Sequence, residues 1–125
     1  MKIAIDLDNT ITGFPEFFSV FSRAMRREGC RIHIVTNRPK GTEAEVIDEL
    51  DECGVLYDAV KITADKAKYI QDQGINVFFD DKDEYFTGLP ESVAVFKPRE
   101  LGNFDFERGK WIYGQGTGRC IDLVT

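Results

Sequence analysis

Apolar, β-branched-rich runs recur at residues 3–5, 32–35, 59–62, 77–79 and 93–96, and stretches of helical periodicity separate them. Between residues 14 and 29, Phe14, Phe17, Phe18, Phe21 and Met25 follow the i, i+3, i+4, i+7 spacing of one buried helix face. Pro15 suits the first turn of that helix and Gly29 its stop. The aromatic stripe could serve as a base-stacking platform, but a helix packed on a sheet is the simpler reading. A second helix begins at TEAE, where Thr42 and Glu45 form a capping-box pattern, runs through Val46, Ile47 and Leu50, and stops near Gly54. A third covers roughly residues 64–73 and ends at Gly74.

Strands alternating with helices predict an α/β, Rossmann-like three-layer fold with right-handed crossovers and a mainly parallel sheet covered on both sides. The end of the chain reads differently. KWIYGQGTGRCIDLV holds two short β-prone runs around GQGTG and predicts a C-terminal β-hairpin. No repeat or linker interrupts the pattern, so residues 1–125 form one domain: an α/β core over 1–98 and an extension over 99–125.

Composition narrows the function. Hydrophobic residues make up 42% of the chain, and no apolar run approaches the ~20 residues of a spanning helix. MKIAID meets an acid too early for a signal peptide, and Cys30, Cys53 and Cys120 form no CxxC pair, so free thiols in the cytoplasm are expected. A net charge of −6 argues against non-specific nucleic-acid binding. It leaves room for a phosphorylated small molecule or polymer end if a divalent cation supplies positive charge.

Ligands of open parallel sheets collect outside the carboxyl ends of the strands. Asp6 and Asp8 follow the first run, Thr36, Asn37 and Arg38 the second, and Asp80 and Asp81 the fourth, while Lys66 stands at a helix start. Asp6 and Asp8 lie two apart, so in extended backbone both point to one side. With Asp81 opposite, they make an oxygen-rich cage suited to Mg²⁺. Thr36 can hydrogen-bond a phosphoryl oxygen and Lys66 can neutralise its charge. Lys66 shares a helix face with Ile70, whereas Lys68 is placed to pair with Asp72 on the surface. Arg38 either grips substrate or flanks Pro39 on the surface; His33 is expected to be packed, and GQGTG lacks the lysine and the strand–helix context of a P-loop.

DLDNT, the strand-end threonine of VTNRP, the helix-start lysine and the DD of VFFDDKDE together resemble the haloacid dehalogenase superfamily, over residues 3 to about 83. The order does not fit a receiver domain, whose acceptor aspartate would follow the third strand. The resemblance implies a Mg²⁺-dependent phosphatase working through an aspartyl-phosphate. Asp6 would be the nucleophile and Asp8 the general acid and then base. Asp6, the backbone carbonyl of Asp8, and Asp81 would hold the metal, with Asp80 supporting and Asp83 an outside candidate. Thr10, Asn37 and Arg38 are the substrate-contact candidates. Neither insertion point of that family, residues 11–31 or 39–65, leaves room for a cap domain, so an open site is expected. An open site suits a bulky phosphorylated end, a partner subunit of the same chain acting as lid, or a poorly selective phosphatase; the C-terminal hairpin either supplies the partner contact, with Trp111 and Tyr113 as anchors, or covers the sheet edge. A catalytically idle or regulatory phosphate-binding module, and phosphotransfer to an acceptor other than water, are the alternatives.

Overall fold

The computed structural model describes residues 1–111. Five parallel strands, β1 (Lys2–Ile5), β2 (Arg31–Thr36), β3 (Ala59–Ile62), β4 (Val77–Phe79) and β5 (Ala94–Phe96), form one sheet in the order β3-β2-β1-β4-β5. Helices α1 (Pro15–Arg27), α2 (Glu43–Cys53) and α3 (Lys66–Asp72) make the first three crossovers, and the short turn Asp83–Phe86 lies in the fourth. The fold is therefore α/β and Rossmann-like, with β1 at its centre. Strand β1 pairs with both β2 and β4, setting Ile5 beside Ile34 and Phe79.

Period-2 alternation divides the core between the two faces of the sheet. Ile3, Ile5, Ile32 and Ile34 pack with Phe18 of α1 and with Val46 and Leu50 of α2. Ala4, Val35 and Phe78 face the other way, onto Ile70 and Ile75. His33 shares this second face, its Nδ1 2.8 Å from the Tyr69 hydroxyl. It is the packed histidine expected from the sequence.

Three local expectations are corrected. The Thr42–Glu45 capping box does not form, because the Thr42 hydroxyl donates instead to the Pro39 carbonyl at 2.7 Å. Helix α3 starts two residues later than expected, since Asp65 caps it by accepting from the Lys68 amide. Within the aromatic stripe Phe18 is buried but Phe17 is 56% exposed, stacked at 5.7 Å on Phe21. One residue is a 100° step on a helix, enough to carry Phe17 off the packed face.

After β5 a short hairpin, β6 (Phe104–Asp105) with β7 (Lys110–Trp111), is antiparallel. Its turn lies around Gly109 (φ +68), where the Asp105 carboxylate accepts from the Glu107 and Arg108 amides. The hairpin drawn around GQGTG, Tyr113 and Cys120 lie outside the described residues. Cys30 and Cys53 are free thiols, and no helix is long and apolar enough to cross a membrane among the described residues.

Candidate active site at the strand-order switch

In the order β3-β2-β1-β4-β5 the direction of winding reverses between β1 and β4, the place where doubly wound sheets open a crevice. Asp6 ends β1 and the Asp80–Asp81 pair follows β4, so the sequence places its acids at this switch. The Asp6 amide still donates to the Phe79 carbonyl at 2.9 Å, which pins the residue to the sheet edge. A small cavity of about 70 Å³ opens here, walled by Asp6, Asp8, Asn9, Asn37, Lys66, Asp81, Lys82 and Tyr85.

Lys66 is the buried cation of the site. Its Nζ donates to Asp6 Oδ1 at 2.9 Å and to Asp80 Oδ2 at 2.7 Å, and only 2% of the residue is exposed. Lys68, two positions on, is paired on the surface with Asp72 at 2.6 Å. A 200° step round the helix accounts for the difference. The Thr10 hydroxyl donates to Asp6 Oδ2 at 3.0 Å and lies 3.5 Å from Asp81 Oδ1. Asp80 is anchored by the Lys82 amide at 2.9 Å. One carboxylate oxygen each of Asp6, Asp80 and Asp81 lies within 4.8 Å of the others.

Crowding these acids sets their protonation. Burial first, and then the charge of Asp80, raise Asp6 to about 8 against the pull of Lys66. Burial also raises Asp80, to about 6. Burial alone would lower Lys66, but Asp6 and Asp80 together raise it, so the ammonium form is held.

Asp8 reaches the cavity by a different route from the one the spacing suggests. Strand β1 ends at Ile5, and the chain turns through a compact loop, Leu7–Ile11, with Asn9 at φ +62. Asp8 is therefore not placed beside Asp6 by strand alternation. Its carboxylate lies outside the Asp6–Asp80–Asp81 group and accepts a two-pronged bond from Arg38, at 3.0 and 2.7 Å. Glu49 of α2 holds the other side of that guanidinium, and the bonds to Asp8 and Glu49 push Arg38 further above its ordinary value. Arg38 is thus neither a loose surface group nor open to the cleft; it is the middle of a three-residue bridge.

Thr36, at the end of β2, is fully buried, and its hydroxyl has no hydrogen-bond partner among the described residues. Neither Thr36, Thr10 nor Asp80 walls the cavity; they stand behind it. Asn37 does line it and donates from Nδ2 to the Tyr85 hydroxyl at 2.9 Å. Asp83 is turned away, paired with Lys97 at 2.8 Å. Tyr85, Glu49 and Lys82 were not legible as site residues: they sit on a helix and a turn whose direction only the folded chain fixes.

No family model matches this chain, and no curated protein matches it. A solved universal stress protein in complex with cAMP is similar in structure, with a TM-score of 0.50 and 7% sequence identity over 79% of this chain and 96% of that one. At that identity the likeness is one of fold. The resemblance to the haloacid dehalogenase superfamily is accordingly withdrawn: no model of that family matches, and the structural likeness is to a universal stress protein. The physical reason lies in the fold itself, because any parallel α/β sheet gathers strand-end acids, hydroxyls and a lysine at one edge, and four short motifs in order do not fix a family.

Proposed function

We propose that this chain is a Mg²⁺-dependent phosphomonoester hydrolase in which Asp6 takes up the phosphoryl group. One observation carries the reading. A buried carboxylate, oriented on both oxygens by Thr10 and Lys66, faces a cavity shared with a second acid, Asp8, and a third, Asp81. Three carboxylates around one lysine leave surplus negative charge, and oxygen donors this close suit a hard divalent cation. Asp6 and Asp81, which wall the cavity, are the carboxylates that would hold it, with Asp80 supporting through Lys66, and the ion would screen their charge and that of the phosphate.

In the proposed reaction Asp6 attacks phosphorus from its ionised form, reached above about pH 8 or when a bound cation displaces its proton, and the bond from phosphorus to the ester oxygen breaks. The leaving oxygen takes a proton from Asp8. A water then attacks the phosphorus, passes a proton to Asp8, and the bond to Asp6 breaks, releasing phosphate. Lys66 holds the Asp6 carboxylate in place throughout, and Thr36, fully buried and absent from the cavity wall, is left without a substrate contact. Arg38 must release Asp8 before that carboxyl can carry the proton, because both of its oxygens accept from the guanidinium.

Asp6→Asn should abolish release of phosphate from a generic aryl phosphate in Mg²⁺ while leaving the folded state intact. Undiminished turnover in that variant would sink the mechanism.

A second reading is a regulatory phosphate-binding module without turnover. It is favoured by the Arg38 lock on Asp8 and by the phosphorylated ligand, cAMP, bound to the structurally similar universal stress protein. Saturable binding of phosphate esters with no turnover across a broad panel would select it. Product analysis would separate hydrolysis from transfer to an acceptor other than water.

A further inference from the structure

We propose that Tyr85 is a positioning residue for Lys66, its ring closing the side of the ammonium that the two carboxylates leave open. An ammonium carries three N–H donors. Asp6 and Asp80 accept from Lys66, and the Tyr85 ring centroid lies 3.9 Å from Nζ, well inside the ~6 Å reach of a cation–π contact. The pair is desolvated, because Lys66 is almost wholly buried, and desolvation is the condition under which such contacts are strongest.

The ring is itself fixed. Tyr85 sits on the short turn Asp83–Phe86 after β4, and its amide donates to the Lys82 carbonyl at 3.2 Å. Phe86, its neighbour, meets Phe78 edge to face at 5.6 Å. From the far side of the cavity Asn37 donates to the Tyr85 hydroxyl. The turn after β4 and the loop after β2 are thus tied across the cleft through this one side chain. A lysine stem has four rotatable carbons, and the ring adds a third wall to a head that Asp6 and Asp80 hold on two sides. The ring holds the cation and the hydroxyl holds the cleft wall, so the two parts of the side chain have separable effects.

The kinetic part of the test rests on the hydrolase reading; the resonance part does not. In wild-type protein the Lys66 ε-methylene protons should be shifted upfield from ordinary lysine positions by the ring current. Tyr85→Phe should keep that shift and most of kcat, and raise KM because the Asn37 amide loses its acceptor. Tyr85→Leu should lose the shift and lower kcat about thirtyfold, the size expected for one desolvated cation–π contact. Ordinary Lys66 shifts in the wild type overturn the assignment, whether or not the Leu variant folds. So does a Phe variant that loses kcat as fully as the Leu variant. Absence of any turnover in the wild type would overturn the hydrolase reading, and the resonances would still decide the place of Tyr85.

Discussion

Asp6 is held where ionising it is difficult: it is buried, it faces Asp80, and it is raised to about 8. A metal ion bound there, as proposed, would have to displace a proton from it. Mg²⁺ affinity should rise about tenfold per pH unit between pH 6 and 8 and level off above, as one proton leaves Asp6 for each ion bound. Titration calorimetry across that range checks this, and a flat profile would remove Asp6 from the ligand set. Lys66 shows how far one side chain could be read in advance. Its spacing from Ile70 marked the inward face, and α3 does bury both residues. The spacing of Asp8 was less informative, because alternation applies only while the strand continues, and β1 stops before it.

The loop Leu7–Ile11 is the element that decides where Asp8 stands. It depends on a left-handed Asn9, a residue that tolerates this conformation better than most, and on close approach of Gly13. A Cβ at Gly13 would come 2.7 Å from the Asn9 carbonyl oxygen, a backbone atom with little freedom to move. Gly13→Ala should therefore lower stability by about 1–3 kcal/mol, the usual range for overpacking, and displace Asp8. An unchanged urea midpoint would show that the loop relaxes without loss. Strand positions were legible because each is a compact apolar run bounded by polar residues. Helix starts were less so: Thr42 and Asp65 both suit an N-cap, and only the local backbone decides which side chain caps and which bonds backward.

Over the whole molecule, the site cross-links the sheet, since Lys66 of α3 joins acids following β1 and β4. This makes stability depend on pH. A carboxyl raised in the folded state favours folding while protonated, and that contribution is lost as pH rises through the folded value. Asp6, raised from 3.8 to about 8, thus weakens the fold as pH climbs towards 8. His33 acts oppositely, since burial lowers it from 6.5 and its neutral form favours the fold. Above pH 6.5 the His33 contribution is complete and Asp6 dominates. The Tm of metal-free protein should fall between pH 6.5 and 8.5, and Asp6→Asn should flatten the slope. A wild-type Tm that rises over this interval would refute the assignment.

The sequence by itself determined the α/β class, the alternation of strands and helices, and the set of acids and one lysine at the carboxyl edge. Those follow from local apolar periodicity and from residue order, and both are carried by the chain before it folds. Only the tertiary structure decided that Asp80, rather than the carboxylate of Asp8, joins Asp6 and Asp81 in the buried group. It also decided that Arg38 bridges Asp8 to Glu49 and that Tyr85 covers Lys66. Those pairings join residues as far apart in the chain as Asp6 and Asp81, on different elements, and their geometry exists only once β1, β2 and β4 lie side by side.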